Sequence, residues 1–205
     1  MWQFLPQASS VMIVHDDVLP PLEASRLRAS ERCAELFTDR RSVDLTVAEI
    51  AEAIGISQRT FHRYFPIKAD SVSPLFDWTT RRFNAAVAGT STSVDVRDVL
   101  QGAFAASLGG SVRERTAALF PLVFRDAEMW SVFLRKVHDG ERSLAPVLAP
   151  HLGLEPDTSP ARAAAAAVAS STRIALESMV TTGADPEAVY LQTIDAFASG
   201  AIRRR

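Results

Sequence analysis

The chain has 205 residues, enough for one large domain or for a small domain joined to a larger one. Apolar residues make up 47% and charged residues 22%, with a formal net charge of −2, so a proper core is within reach and any affinity for a polyanion must come from a local patch. The single cysteine, Cys33, rules out an internal disulfide and a thiolate metal cluster, fits a reducing cytoplasm, and is joined by no apolar run near the roughly 18 residues of a membrane span.

Residues 1–21 lack the basic start and long apolar stretch of a secretory leader and read as a tail without an assigned role. Pro20 and Pro21 open a first helix over about 22–39, with Leu27, Ala34 and Phe37 near helical spacing. Thr46-Val47-Ala48-Glu49 has the form of a capping box, and behind it Val47, Ile50, Ala51 and Ile54 make one apolar face of a short second helix. Gly55 suits the left-handed residue that ends it, Ser57 can cap a third helix, and Pro66 stops that one. Two short helices joined through a glycine form a helix-turn-helix.

A long fourth helix is expected over about 67–88, running from Ile67 past Trp78, with "AGTSTS" breaking it. Further helices fall at about 94–108, 112–125 and 127–149, separated by Gly109-Gly110 and Asp126. Ser111 to Glu114 reads as a second capping box, and Pro121 should kink its helix. Ser159-Pro160 and Asp185-Pro186 each place a cap before a proline and open two final helices, about 160–182 and 186–202. No stretch has a strand pattern. The expectation is an all-α chain of about nine helices, with a helix-turn-helix domain over 22–70 and a larger helical domain over 71–205.

The third helix, within "GISQRTFHRYFPIK", holds Arg59 and Arg63, with Lys68 beyond it, and no acidic residue. Phe61 and Phe65, at i and i+4, should face inward beside Ile56, leaving Gln58, Arg59, His62 and Arg63 outside. Those side chains suit base edges: Arg donates twice to guanine and Gln pairs with adenine. The helix N-terminus favours a phosphate, and Lys68 is placed to neutralise another. The element fits nucleic acid.

Residues 45–72, "LTVAEIAEAIGISQRTFHRYFPIKADSV", resemble the DNA-binding signature of the TetR family of bacterial transcriptional regulators through Ile50-Ala51, Gly55, Ser57, Thr60-Phe61, Tyr64-Phe65 and Lys68. The resemblance implies a cytoplasmic homodimer with a three-helix DNA-binding head and a larger helical body that binds a small molecule. It implies that Gln58, Arg59, Thr60 and His62 face bases and that Thr46, Tyr64 and Lys68 meet phosphates, with Ser57 and Arg63 in the same interface. His62 stands where many members carry Tyr. Arg41 and Ser42 replace the usual Gly and aromatic after the first helix, which puts a left-handed cap there in question. The head carries eight Lys or Arg and eight Asp or Glu, so affinity must depend on local geometry and dimerisation rather than bulk charge.

The body shows no catalytic constellation. Its histidines have no paired ligand spacing and no nucleophile elbow frames a serine, so neither an enzyme, a metal site nor a cofactor is expected. Phe104, Phe120, Phe124, Met129, Trp130, Phe133 and Met179 are residues that ordinarily build core; the resemblance implies a ligand cavity among the middle helices that they would line, with His138 and Arg135 as conceivable polar partners. The small-residue run "ARAAAAAVASS" and the apolar faces of the last two helices would, by the same resemblance, form a two-fold interface suited to a palindromic operator in double-stranded DNA. The sequence therefore points to a sequence-specific transcriptional regulator, a repressor released by a small-molecule effector. The alternative is a helical ligand-binding or interaction protein whose head lacks useful DNA affinity, against which the intact cations Arg59, Arg63 and Lys68 argue.

Overall fold

The computed structural model describes residues 19–200, so most of the N-terminal tail lies outside the described residues. Those residues form nine α-helices and no strand. The head comprises α1 (Pro21–Arg40), α2 (Val47–Ala53) and α3 (Gln58–Tyr64). The body comprises α4 (Ser73–Ala88), α5 (Val96–Leu108), α6 (Ser111–Arg125), α7 (Ala127–Leu148), α8 (Ser159–Thr182) and α9 (Pro186–Ala198).

Local chemistry explains most of the boundaries. The Thr46 hydroxyl accepts from the Glu49 amide at 3.2 Å, and the Glu49 carboxylate accepts from the Thr46 amide at 2.8 Å, completing the capping box. Hydrogen bonds from the Thr46 side chain and backbone hold the Glu49 carboxyl below its ordinary range. Ser57 accepts from the Thr60 amide at 3.1 Å and starts α3. Asp95 and Asp126 cap α5 and α7 in the same way.

Four expectations need correction. The stretch from Ile67 is not one helix: residues Lys68–Val72 form a 3₁₀ turn and α4 begins only at Ser73. Pro74 has no amide proton and its ring would crowd the carbonyl a turn earlier, so it sits in the first turn of α4. Ser111 makes no capping bond, because Gly110 takes the cap position and Ser111 is already helical. A side chain at neighbouring Gly109 would lie 2.3 Å from the Ala105 carbonyl oxygen, so that turn admits only glycine. The cap of α8 is Thr158 rather than Ser159, and Asp185 does not cap α9 because its carboxylate pairs with Arg113 at 2.6 Å.

Arg41 does adopt the left-handed conformation (φ 50°, ψ 31°) that the family's glycine would take, ending α1 through its amide to Phe37 and Thr38. Head and body share one apolar cluster. It runs from Phe37, Ile50, Phe61 and Phe65 through Ala69 and Val72 to Leu119, Phe120, Val123, Met129, Val132 and Phe133. A second cluster lies deeper in the body, where Phe104 stacks on Tyr190 with ring centres 4.3 Å apart.

Two outcomes follow. Arg41→Gly should raise stability by about 1 kcal/mol, since a left-handed non-glycine residue costs about 1–2 kcal/mol and glycine recovers all but its backbone entropy; a denaturant melt of the two proteins reads it directly. Cys33 is wholly buried, and desolvation pushes its thiol up from 9.0 to about 12. The folded chain therefore keeps a proton that the unfolded chain releases. The resulting stability is full below about pH 9 and is lost as pH rises toward about 12. Urea midpoints should fall across that window, and less steeply in Cys33→Ala.

Candidate nucleic-acid interface and body cavity

The third helix is anchored from beneath. Phe61 and Phe65 have no exposed surface and meet edge-to-face with ring centres 5.1 Å apart. Gln58, Arg59, His62 and Arg63 are exposed on the opposite side, while Thr60 and Tyr64 are half-buried at its edges. Arg63 lies over the Tyr64 ring at 5.2 Å. Arg32 on α1 donates to the Ile54 carbonyl at 3.2 Å and so fixes the turn between α2 and α3. Lys68 donates to the Val43 carbonyl at 3.0 Å, which ties the start of the 3₁₀ turn to the loop before α2. Thr46 is exposed, with its hydroxyl also donating to Glu49 at 2.7 Å.

The electrostatics of the head differ from its composition. Among the described residues, none of its eight cations forms an ion pair, whereas three of its eight carboxylates are taken by cations of the body. Glu23 pairs with Arg81, Glu31 with Arg115 and Asp70 with Arg135, at 2.7, 3.4 and 2.8 Å. The head's positive charge is thus left uncompensated by near contacts. It is available to a polyanion.

The body holds a cavity of about 130 Å³, roughly ten times what a single water needs. Helices α4, α5, α6, α7 and α8 all contribute to its wall. Leu75, Phe76, Phe83, Leu119, Phe120 and Phe133 supply apolar surface, and Thr80, Asn84, Thr116, Arg115 and Lys136 supply polar groups. Gly140, inside α7, lies against Thr80 in the wall: a Cβ there would touch the threonine methyl at 3.5 Å. A second cavity of about 60 Å³ adjoins the first, sharing Leu108, Thr116 and Leu176.

A sequence model of the bacterial regulatory proteins of the tetR family matches residues 34–70, the segment that holds α2, α3 and the turn between them. The helix-turn-helix segment of the chain thus matches the DNA-binding part of that family. Among solved structures it is similar to Thermus thermophilus FadR, a TetR-family transcriptional repressor in complex with lauroyl-CoA. That match has 21% identity and a TM-score of 0.58 over 88% of this chain and 96% of the other. It is also similar to a Rhodococcus sp. protein assigned to the TetR-family transcriptional regulators, at 15% identity and a TM-score of 0.52 over 88% and 98% of the two chains. At these identities the likeness shows a common fold across head and body. Comparison with curated proteins finds no match.

The residues expected to hold the ligand do not gather in one place. Phe120 and Phe133 line the larger cavity, and Phe104 and Met179 line the smaller. Met129 is wholly buried in the cluster between head and body. Phe124 and Trp130 meet edge-to-face with ring centres 5.1 Å apart and line neither cavity, Trp130 packing behind Phe133. His138 is exposed beside Glu141, and Arg135 pairs with Asp70 on the head. Aromatic content marks the core of the body, whereas the cavity wall is distinguished by Thr80, Thr116, Arg115, Lys136 and Gly140. Gly140 was the usable signal: in a helix interior glycine costs about 1 kcal/mol relative to alanine, and here it lets α7 pass close to Thr80 on α4 at the cavity wall.

Proposed function

We propose that this protein is a homodimeric, sequence-specific transcriptional regulator of the TetR family, a repressor that binds a palindromic operator and is released by a small molecule held in the body. The observation that carries the reading is the outer face of α3, where Arg59 and Arg63 stand exposed and without an acidic partner above the buried Phe61 and Phe65. In this reading Gln58, Arg59, Thr60 and His62 face bases in the major groove. Ser57 and Arg63 sit at its margins, and Thr46, Tyr64 and Lys68 meet phosphates. Such a protein works on DNA in the cytoplasm, and no helix among the described residues is long and apolar enough to cross a membrane.

Pairing of α8 and α9 with their symmetry mates is supported by what they leave uncovered. Phe197 is 45% exposed, and Leu191, Ile174 and Val180 are half-buried. Ala166, Ala167 and Ser170 form a half-buried small-residue face on α8 that allows another helix to come close. Ile194 and Leu176 are already buried within one chain and contribute little to such a contact. The larger cavity supports an effector with substantial apolar surface, and the lauroyl-CoA bound in the similar FadR structure is a ligand of that kind.

If Arg59 reads guanine, Arg59→Ala should lose about 1–3 kcal/mol of operator affinity and relax selectivity at one position in each half-site. Binding to randomised DNA, sequenced before and after selection, tests this; equal weakening on operator and unrelated DNA would make Arg59 a phosphate contact. Phe197→Glu should yield a folded monomer that binds the operator poorly, because the second half-site is lost. Light scattering reads the mass, and a variant that remains dimeric would put the interface elsewhere.

A further inference from the structure

The wall of the larger cavity is chemically one-sided. Two full charges reach it, Arg115 from α6 and Lys136 from α7, and no aspartate or glutamate lines it. Both cations are largely withdrawn from water, with side chains 27% and 20% exposed. The hydroxyls of Thr80 and Thr116 also belong to the wall and make no hydrogen bond among the described residues. Thr79 and Thr172, by contrast, return theirs to the carbonyls of Leu75 and Val168. The full charges in the wall are therefore both positive, joined by two free hydroxyls and the Asn84 amide, whose nitrogen already donates to Ser143, beside the apolar surface.

The partners of the two cations approach from outside the cavity. Lys136 Nζ lies 3.0 Å from Asp77 and 3.7 Å from Asp139. Arg115 Nη1 reaches Glu31 on α1 at 3.4 Å, longer than the roughly 2.7–2.9 Å of a well-made charge-assisted bond. That contact engages one of the five guanidinium donors, so the rest remain for another acceptor.

We propose that the cavity takes an amphipathic acid, its apolar body against Phe83, Phe120 and Phe133 and its carboxylate against Arg115 and Lys136. The inference rests on reading the cavity as the effector site and adds the class of effector. A cationic amphiphile would meet two like charges in the wall, with the carboxylates that offset them lying behind it. A purely apolar one would strip water from two cations and two hydroxyls and give nothing back. An acid alone satisfies both surfaces. It also gives occupancy a path to the head: a carboxylate at Arg115 competes with Glu31, and that pair ties α6 to α1.

Calorimetry of the full chain without DNA, using decanoate, decanol and decyltrimethylammonium as probes, tests the proposal. Decanoate should bind at least about tenfold more tightly than decanol, and the ammonium compound should not bind measurably. Arg115→Gln and Lys136→Gln should each erode the preference for decanoate over decanol while leaving decanol unchanged. Gly140→Leu, whose side chain starts in contact with Thr80 and crowds the wall, should weaken binding of both. Equal or tighter binding of decanol or of the ammonium compound would overturn the proposal, as would no binding of decanoate to the folded chain. The probe comparison needs no variant, so a misfolded mutant does not decide it. Operator binding by the same samples separates the two readings. A chain that binds operator but not decanoate refutes the acid, whereas one that binds decanoate but no DNA refutes the regulator.

Discussion

Everything in the molecule that faces DNA depends on the apolar packing beneath α3. A helix of seven residues has no stability of its own, since isolated helices need roughly 12–15 residues even to be marginal. It persists because Phe61 and Phe65 are wholly buried, each burial worth about 1.5–3 kcal/mol. The packing does not stop at the head. It passes through Ala69 and Val72 of the 3₁₀ turn to Leu75 on α4, and on to Phe120 and Phe133, two residues that also line the larger cavity. Because protein interiors are packed like crystals, a shift at those two rings has little slack to absorb it before it reaches Phe65.

The ion pairs between head and body have a different role from the one usually assigned to surface pairs. Exposed pairs contribute at most about 1 kcal/mol each, so Arg81–Glu23 does little to hold the fold, while Arg115–Glu31 and Arg135–Asp70 each have one partner partly withdrawn from water. They do alter the electrostatic sum. Three carboxylates that would offset the head's cations are neutralised by body residues instead, and a segment with balanced composition presents net positive charge. The 3₁₀ turn lies in the same seam, with Asp70 held by Arg135 and the Ser71 carbonyl accepting from the Ser30 hydroxyl. The link between α3 and the body is therefore jointed at Lys68–Val72 and not a single rigid rod.

Much of this was legible in the sequence because it depends on neighbours along the chain. The Thr46–Glu49 box, the Ser57 cap, the Asp126 break and the inward phenylalanines of α3 all rest on spacings of three or four residues. The failures have longer-range causes. Ser111 lost its cap to the Gly109-Gly110 turn, which packs against Ala105. Asp185 gave up capping α9 for Arg113, 72 residues away. Arg41 holds a glycine's conformation because the corner between α1 and α2 requires it, whatever residue stands there. The cavity was least legible of all. Periodicity tells which side chains point inward, yet Met129 fills its space and Phe133 borders an opening, a difference set by five helices meeting.

The division of α3 into a buried and an exposed face has an evolutionary consequence. Phe61 and Phe65 carry the structural obligation, so Gln58, Arg59, His62 and Arg63 are released from it. Exposed substitutions away from caps and packing usually change stability by no more than about 0.5 kcal/mol. A duplicated gene can therefore drift at those four positions while its product still folds. Changes there leave the packing beneath α3, and the cavity in the body, as they were.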